Sequence, residues 1–159
     1  MKKIWNNNAK KLANKLDKII IKHVLNPMGS RINKSIQDNI NSGKDINDKS
    51  FAPLSDTTKS LRGSSGPILI RTGKMKNIKK EPATISKPKF ILTMGQEYGA
   101  YHNTGYTNPS DPKNWFPNAK VPKRKWFGIP KSMKPGGREY KTLINEAILR
   151  VKTSWSSGL

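Results

Sequence analysis

The chain has 159 residues, of which 33% are hydrophobic, and 31 lysines and arginines against 10 acidic residues give it a formal charge of +21. This length predicts one domain with a lean core, and the absence of cysteine excludes disulfides and thiolate chemistry. No segment reaches transmembrane length and no apolar run follows Lys2 and Lys3, so we expect neither membrane insertion nor a signal peptide.

Two amphipathic helices are predicted in the N-terminal part of the chain. Residues 5–25 carry apolar side chains at steps of three and four, with lysines on the other face. Asn26-Pro27 predicts a cap and the start of a second helix, which Ser42-Gly43 ends. The apolar stripe of the second helix is narrow, and consists of Met28, Ile32, Ile36 and Ile40. Such a stripe suits a helix packed on one side only, or an arm lying across a neighbouring subunit.

The middle of the chain predicts one short helix and a small antiparallel sheet. Ser55 is the predicted N-cap of a helix that ends near Arg62. Residues 68–70 form a brief apolar run that we expect to be buried. Residues 78–86 and 89–94 interleave β-formers with polar residues and predict two antiparallel strands.

Residues 97–131 set aromatic side chains beside cations, a composition typical of protein interfaces. Residues 97–105 predict a short helical turn that Gly105 stops in a left-handed conformation. Residues 120–131 predict a stiff extended segment, limited by proline on either side. The two parts are separated by a loop at 106–120 with three prolines. The stretch therefore predicts a docking surface, without a recognisable catalytic set.

The last predicted element is an amphipathic helix at 138–155, whose apolar residues keep a 3-4 spacing over four turns. The fold class is therefore predicted to be α+β, in a single domain spanning 1–159. Its expected parts are a two-helix N-terminal arm (1–43), a small antiparallel sheet with long loops (51–135), and the C-terminal helix.

Four blocks of the sequence together resemble one protein family. They are residues 51–55 with Thr58 (Phe-Ala-Pro-Leu-Ser), 68–75 (Ile-Leu-Ile-Arg-Thr-Gly-Lys-Met), 98–105 (Tyr-Gly-Ala-Tyr-His-Asn-Thr-Gly) and 121–128 (Val-Pro-Lys-Arg-Lys-Trp-Phe-Gly). In their order and spacing they resemble the virion-morphogenesis or tail-completion proteins of tailed bacteriophages. Phe51 stands where that family usually has tryptophan, and Lys125 stands where it usually has proline.

The resemblance implies a structural, non-enzymatic virion protein at the head–tail junction, or neck, that completes the tail or joins it to the head. It also implies an α+β fold that assembles with itself into a ring, with six copies preferred. The expected neighbours are portal or adaptor proteins and tail-tube or tail-terminator proteins. The expected location is the virion, and the host cytoplasm during assembly. We expect no cofactor, no membrane partner, and at most weak, unspecific contact with DNA.

The candidate interface residues share an aromatic, apolar or cationic character, and are Lys123, Arg124, Trp126, Phe127, Tyr98, Tyr101, Met28, Ile32 and Ile36. We expect Arg124 to face a carboxylate of a partner, because arginine binds carboxylates through two parallel hydrogen bonds. Arg124→Lys should then weaken assembly and leave the monomer folded. The competing interpretation of Arg124 is a surface cation on a basic loop. Of Trp126 and Phe127, one is expected in the core and the other at the interface or its rim.

A basic nucleic-acid-binding protein, such as a ribosome-associated or DNA-packaging factor, is the alternative that the charge suggests. The cations are scattered, however, and Phe90 is the one aromatic residue in the two predicted strands, where a stacking platform needs several. His102 is predicted to be a turn residue that hydrogen-bonds to neighbouring backbone. The spacing of the acidic residues and histidines supports neither a metal site nor paired catalytic carboxylates.

Overall fold

The computed structural model describes residues 2–63, 67–70, 72–107 and 120–156, and within them it is an α+β structure, as predicted. The α-helices of this part of the chain are α1 (Lys2–Ile20), α2 (Asn26–Asn41), α3 (Asp56–Arg62), α4 (Tyr98–Thr104) and α5 (Arg138–Ser156). The strands are β1 (Ile78–Glu81), β2 (Ile91–Met94), β3 (Tyr106–Thr107) and β4 (Lys120–Val121). No helix among the described residues is both long enough and apolar enough to span a bilayer.

The strands form two small sheets of two strands each. β1 pairs with β2, and β3 pairs antiparallel with β4, with Tyr106 opposite Val121. The strand predicted at 78–86 ends instead at Glu81, because Pro82 follows and has no N–H to donate to a ladder. Most of the predicted loop at 106–120 lies outside the described residues.

The chain divides into two compact units, which are described separately. The first consists of Met1–Arg31, Lys80–Leu92 and Ser132–Leu159, and the second of Ile32–Lys79 and Thr93–Lys131.

In the first unit, the predicted break between two N-terminal helices is wrong, because the chain stays helical through Asn26 and Pro27. Asn26 has helical backbone angles, with φ −69° and ψ −43°. A widened π-helical turn, Ile21–Leu25, precedes it, and the Asn26 N–H donates to the carbonyl of Ile21. Such a turn is a common way for a helix to absorb a local misfit, here next to a proline that would otherwise clash with the preceding turn. The Asn26 amide donates to the Ala83 carbonyl (3.2 Å) and accepts from the Ala83 N–H (2.8 Å).

The C-terminal helix α5 confirms the prediction for 138–155 and packs against α1 and the π-helical turn. Leu143 and Ala147 on α5 and Ile19 on α1 are buried in the core of the first unit. Glu146 lies on the neighbouring face of α5 and accepts a hydrogen bond from Arg31, which holds the pKa of its carboxyl below the usual value.

In the second unit, the predicted helix ends are confirmed by their hydrogen bonds. After α2, the N–H of Lys44 donates to the carbonyl of Asn39, and Gly43 takes a left-handed conformation, which together form a Schellman motif. The hydroxyl of Ser55 accepts from the N–H of Thr58 at the start of α3, as expected of an N-cap. The end of α2 is anchored by Ile36 and Ile40, which are fully buried.

The run at 68–70 is only half-buried, and the prediction that it belongs to the core is wrong. Ile68 and Leu69 instead line an open groove. A 3-10 turn, Lys74–Lys76, follows, and its Met75 is buried.

Candidate interaction surface

Arg124 is bound inside its own chain rather than presented to solvent. Its side chain is 4% exposed; Nε donates to the Ala52 carbonyl and an Nη atom to the Pro53 carbonyl, both at 2.9 Å. Its backbone N–H donates to the carbonyl of His102 at 2.7 Å. Burial lowers the pKa of the guanidinium, but arginine starts so high that the group stays charged. Two carbonyl groups of the same chain therefore bind the guanidinium, where we expected a partner's carboxylate.

Of Trp126 and Phe127, the structure assigns the core position to Trp126. The indole is 1% exposed, and its Nε1 donates to the Gly99 carbonyl at 2.9 Å. Phe127 is half-buried, and its ring lies 5.4 Å from the indole, centroid to centroid. The backbone N–H of Phe127 donates to the Asn103 side chain at 3.1 Å. Trp126 thus fills an apolar site of its own chain, and the half-buried Phe127 stays a candidate for contact with a partner.

The helix α4 confirms the helical turn predicted at 97–105 and lies beside the segment that holds Arg124 and Trp126. A side chain at Gly99 would bring its Cβ to 2.9 Å from the Trp126 ring, so the indole packs directly on bare backbone. Gly105 ends α4 with φ +83° and ψ 151°, a glycine-only conformation that differs from the predicted left-handed cap.

The exposed members of the candidate interface are Tyr98, Tyr101 and Lys123. Tyr98 and Tyr101 on α4 are 40% and 49% exposed, and the Tyr101 ring lies 4.6 Å from the Tyr106 ring, centroid to centroid, at a tilt of 31°. Lys123 is exposed next to the buried Arg124. The aromatic and cationic surface predicted from the sequence is therefore carried by these three residues, together with the half-buried Phe127.

The apolar stripe of α2 is only partly free to contact a neighbouring subunit, as the predicted ring of subunits would require. Ile36 is 1% exposed and belongs to the core of the second unit, so it is not free to contact a neighbouring subunit. Met28 and Ile32 are half-buried. Ile36 is corrected to a core residue, while Met28 and Ile32 stay candidates.

An open groove of about 270 Å³ lies in the second unit, and all four sequence blocks contribute to it. The first block supplies Leu54 and Thr58; the second supplies Ile68, Leu69, Thr72 and Met75; the third supplies Tyr98 and His102; and the fourth supplies Arg124. Leu61 and Arg62 of α3 complete the lining. Residues far apart in the sequence therefore meet around one surface feature, which we call the groove.

His102 lacks, at one ring nitrogen, the backbone hydrogen bond predicted for its side chain. It lies in α4, its Nδ1 is buried, and that atom has no hydrogen-bond partner among the described residues. Burial, reinforced by the charge of Arg124, lowers the pKa of the imidazole below its ordinary value. The ring is therefore neutral at pH 7. Nothing in the sequence around His102 indicates this environment, because it arises from burial in the fold and, second, from the distant Arg124.

No protein-family model, no curated protein and no solved structure matches this chain. What the chain does must therefore be argued from the groove, the exposed aromatic residues and the charge.

Proposed function

We propose that the protein is a structural component of a tailed-phage virion, acting at the head–tail junction to complete the tail or join it to the head. In this proposal several copies form a ring, six being the preferred number. The neighbours in the particle are portal or adaptor proteins on one side and tail-tube or tail-terminator proteins on the other. The protein performs no catalysis and is found in the virion, or in the host cytoplasm during assembly.

The observation that carries the proposal is the convergence of the four blocks on the groove. A chance resemblance in short blocks gives no reason for those blocks to meet in space. Here Arg124 of the fourth block is bonded to Ala52 and Pro53 of the first, and Trp126 to Gly99 of the third. The residues that carry the family resemblance are thus the residues that hold the second unit together.

The exposed surface around these bonds supports docking to other proteins. Tyr98, Tyr101 and Phe127 offer aromatic side chains next to exposed lysine, a combination enriched in protein interfaces. A formal charge of +21 favours partners that carry negative charge, and it steers their encounter.

Nucleic-acid binding is the second candidate, and the charge of the chain is what favours it. The sheets of the described residues are each two strands wide, and Phe90 precedes β2 rather than lying in it. They therefore offer little of the aromatic platform that single-stranded nucleic acid stacks on. Binding to DNA should be weak and should fall steeply between 50 and 200 mM salt, as expected of scattered phosphate contacts.

The decisive experiment removes the gene from the phage that carries it and restores it on a plasmid. Electron microscopy of lysates then counts heads joined to tails against separate heads and tails. Loss of joined particles, with the protein located at the neck by gold labelling, supports the proposal. Normal particles without the gene would refute the role at the head–tail junction. One copy of the protein per particle would refute the ring.

A matched pair of charge reversals tests the surface in the same assay. Lys123→Glu changes an exposed lysine at the candidate interface, and Lys141→Glu changes an exposed lysine on α5 in the first unit. We expect Lys123→Glu to reduce the joined particles and Lys141→Glu to leave them unchanged. Equal effects of the two would show that only the overall charge matters.

A further inference from the structure

The groove has apolar walls and a size suited to a side chain. Leu54, Ile68, Leu69 and Met75 form the walls, and Leu61 stands on the rim with 63% of its surface exposed. The volume of about 270 Å³ lies just below the range of about 300–1,000 Å³ that is typical of small-molecule sites. It accommodates one or two side chains of a bound segment more readily than a cofactor.

The charges at the groove have one sign. Arg62 and Arg124 line it, and no aspartate or glutamate does so among the described residues. A second copy of this chain would bring more positive charge to a positive site. A phosphate backbone would gain nothing from the apolar walls. A segment that combines carboxylates with an apolar side chain can pack that side chain against the apolar walls and set its carboxylates beside the arginines.

Two unusual features lie at the groove. Leu69 has φ +68°, a left-handed conformation that is rare for a bulky residue and is often found at binding sites. The buried Nδ1 of His102 has no partner among the described residues, and an unsatisfied buried polar atom is uncommon.

We infer that the groove binds an acidic segment of another protein, which inserts one apolar side chain between Leu61 and Leu69 and sets its carboxylates near Arg62. This inference rests on the proposed function, in which the protein docks to other proteins, and it adds the chemistry of the partner. It also gives a role to the groove, which stays open beside the internal hydrogen bonds of Arg124 and Trp126.

The test uses the full-length protein and three pools of fluorescent nine-residue peptides, with binding measured by fluorescence anisotropy at 150 mM salt. The first pool has a central leucine flanked by aspartate and glutamate. The second replaces the leucine by glycine and keeps the charge. The third keeps the leucine and replaces the acids by asparagine and glutamine. We expect the first pool to bind at least about tenfold more tightly than either of the others.

Two variants locate the binding on the groove, each with a matched control. Leu61→Glu alters the rim, and Leu149→Glu alters a leucine on α5 with nearly the same exposure, 66%, in the other unit. Arg62→Gln removes the groove charge, and Arg138→Gln removes an exposed arginine at the start of α5. We expect Leu61→Glu to weaken binding about tenfold or more and Arg62→Gln about two- to fivefold, whereas both controls leave it unchanged.

Four outcomes overturn the inference: no binding of the first pool up to 1 mM peptide, equal binding of the glycine pool, equal effects of variants and controls, or displacement of the peptide by a 20-nucleotide DNA. Self-association that Leu61→Glu abolishes, measured by analytical ultracentrifugation, would identify a second copy as the occupant and would also overturn it. A protein found at the neck that binds no acidic peptide refutes this inference alone. A protein that binds the peptide but is absent from particles refutes the virion role alone.

Discussion

Replacing Arg124 by lysine tests whether this residue supports the fold or an interface. The guanidinium donates two partly buried hydrogen bonds, to the carbonyls of Ala52 and Pro53. A hydrogen bond from a charged group contributes about 1.5–3 kcal/mol, and two such bonds hold the Arg124 side chain. Lysine keeps the charge but presents one ammonium group, which cannot reproduce the planar fork. We therefore expect Arg124→Lys to lower the free energy of unfolding by about 2–4 kcal/mol.

Urea unfolding followed by tryptophan fluorescence measures this loss, because the buried Trp126 lies two residues away. Arg138→Lys is the control: Arg138 is exposed at the start of α5, and its replacement should change the unfolding free energy by less than about 0.5 kcal/mol. If Arg124→Lys unfolds at the same urea concentration as the wild type and still impairs particle joining, the two internal hydrogen bonds of Arg124 contribute little to stability. The sequence-based expectation of a partner's carboxylate would then be correct.

Three further predictions concern the same region. Trp126→Ala should cost about 3–5 kcal/mol of stability, whereas Phe127→Ala should cost about 1 kcal/mol or less and act on assembly; thermal melting and particle counts separate the two effects. Equal melting temperatures for the two variants would contradict the assignment of Trp126 to the core. Gly99→Ala should destabilise the protein by about 1–3 kcal/mol, because its Cβ would lie 2.9 Å from the Trp126 ring; a normal melting temperature would show that the ring can shift. Stability should fall as the pH drops below the ordinary histidine pKa of about 6.5, because the pKa of His102 is lowered in the fold and the unfolded chain takes up the proton first. Urea midpoints at pH 7.5 and 5.0 should therefore differ less for His102→Asn than for the wild type.

The parts of the fold that sequence reasoning predicted depend on neighbours in the chain. Ser55 caps a helix through a residue three positions away, and Gly43 ends one through the last turn. The spacing in α5 is likewise a property of one segment. Because these interactions are local, their signals can be read directly from the sequence.

The parts that sequence reasoning missed depend on residues far apart. Arg124 is bonded to main-chain carbonyls 71 and 72 residues away, and a main-chain carbonyl carries no side-chain signature in the sequence. Asn26, at the end of the π-helical turn, finds its partner Ala83 57 residues away. The interface proposed for residues 97–131 stays a prediction, but which of its side chains face inward is fixed by these distant contacts.

The pairing of Asn26 with Ala83 has a consequence for chemical ageing of the protein. The side-chain amide both donates and accepts there, so conversion of Asn26 to aspartate would remove the donor and set a carboxylate against a carbonyl. Asparagine usually deamidates when the nitrogen of the next residue attacks its side chain and closes a cyclic imide. The next residue is Pro27, whose nitrogen has no hydrogen to lose, and this route is closed. In a chain rich in asparagine, the amide on which the first unit depends is thus protected by the residue that follows it.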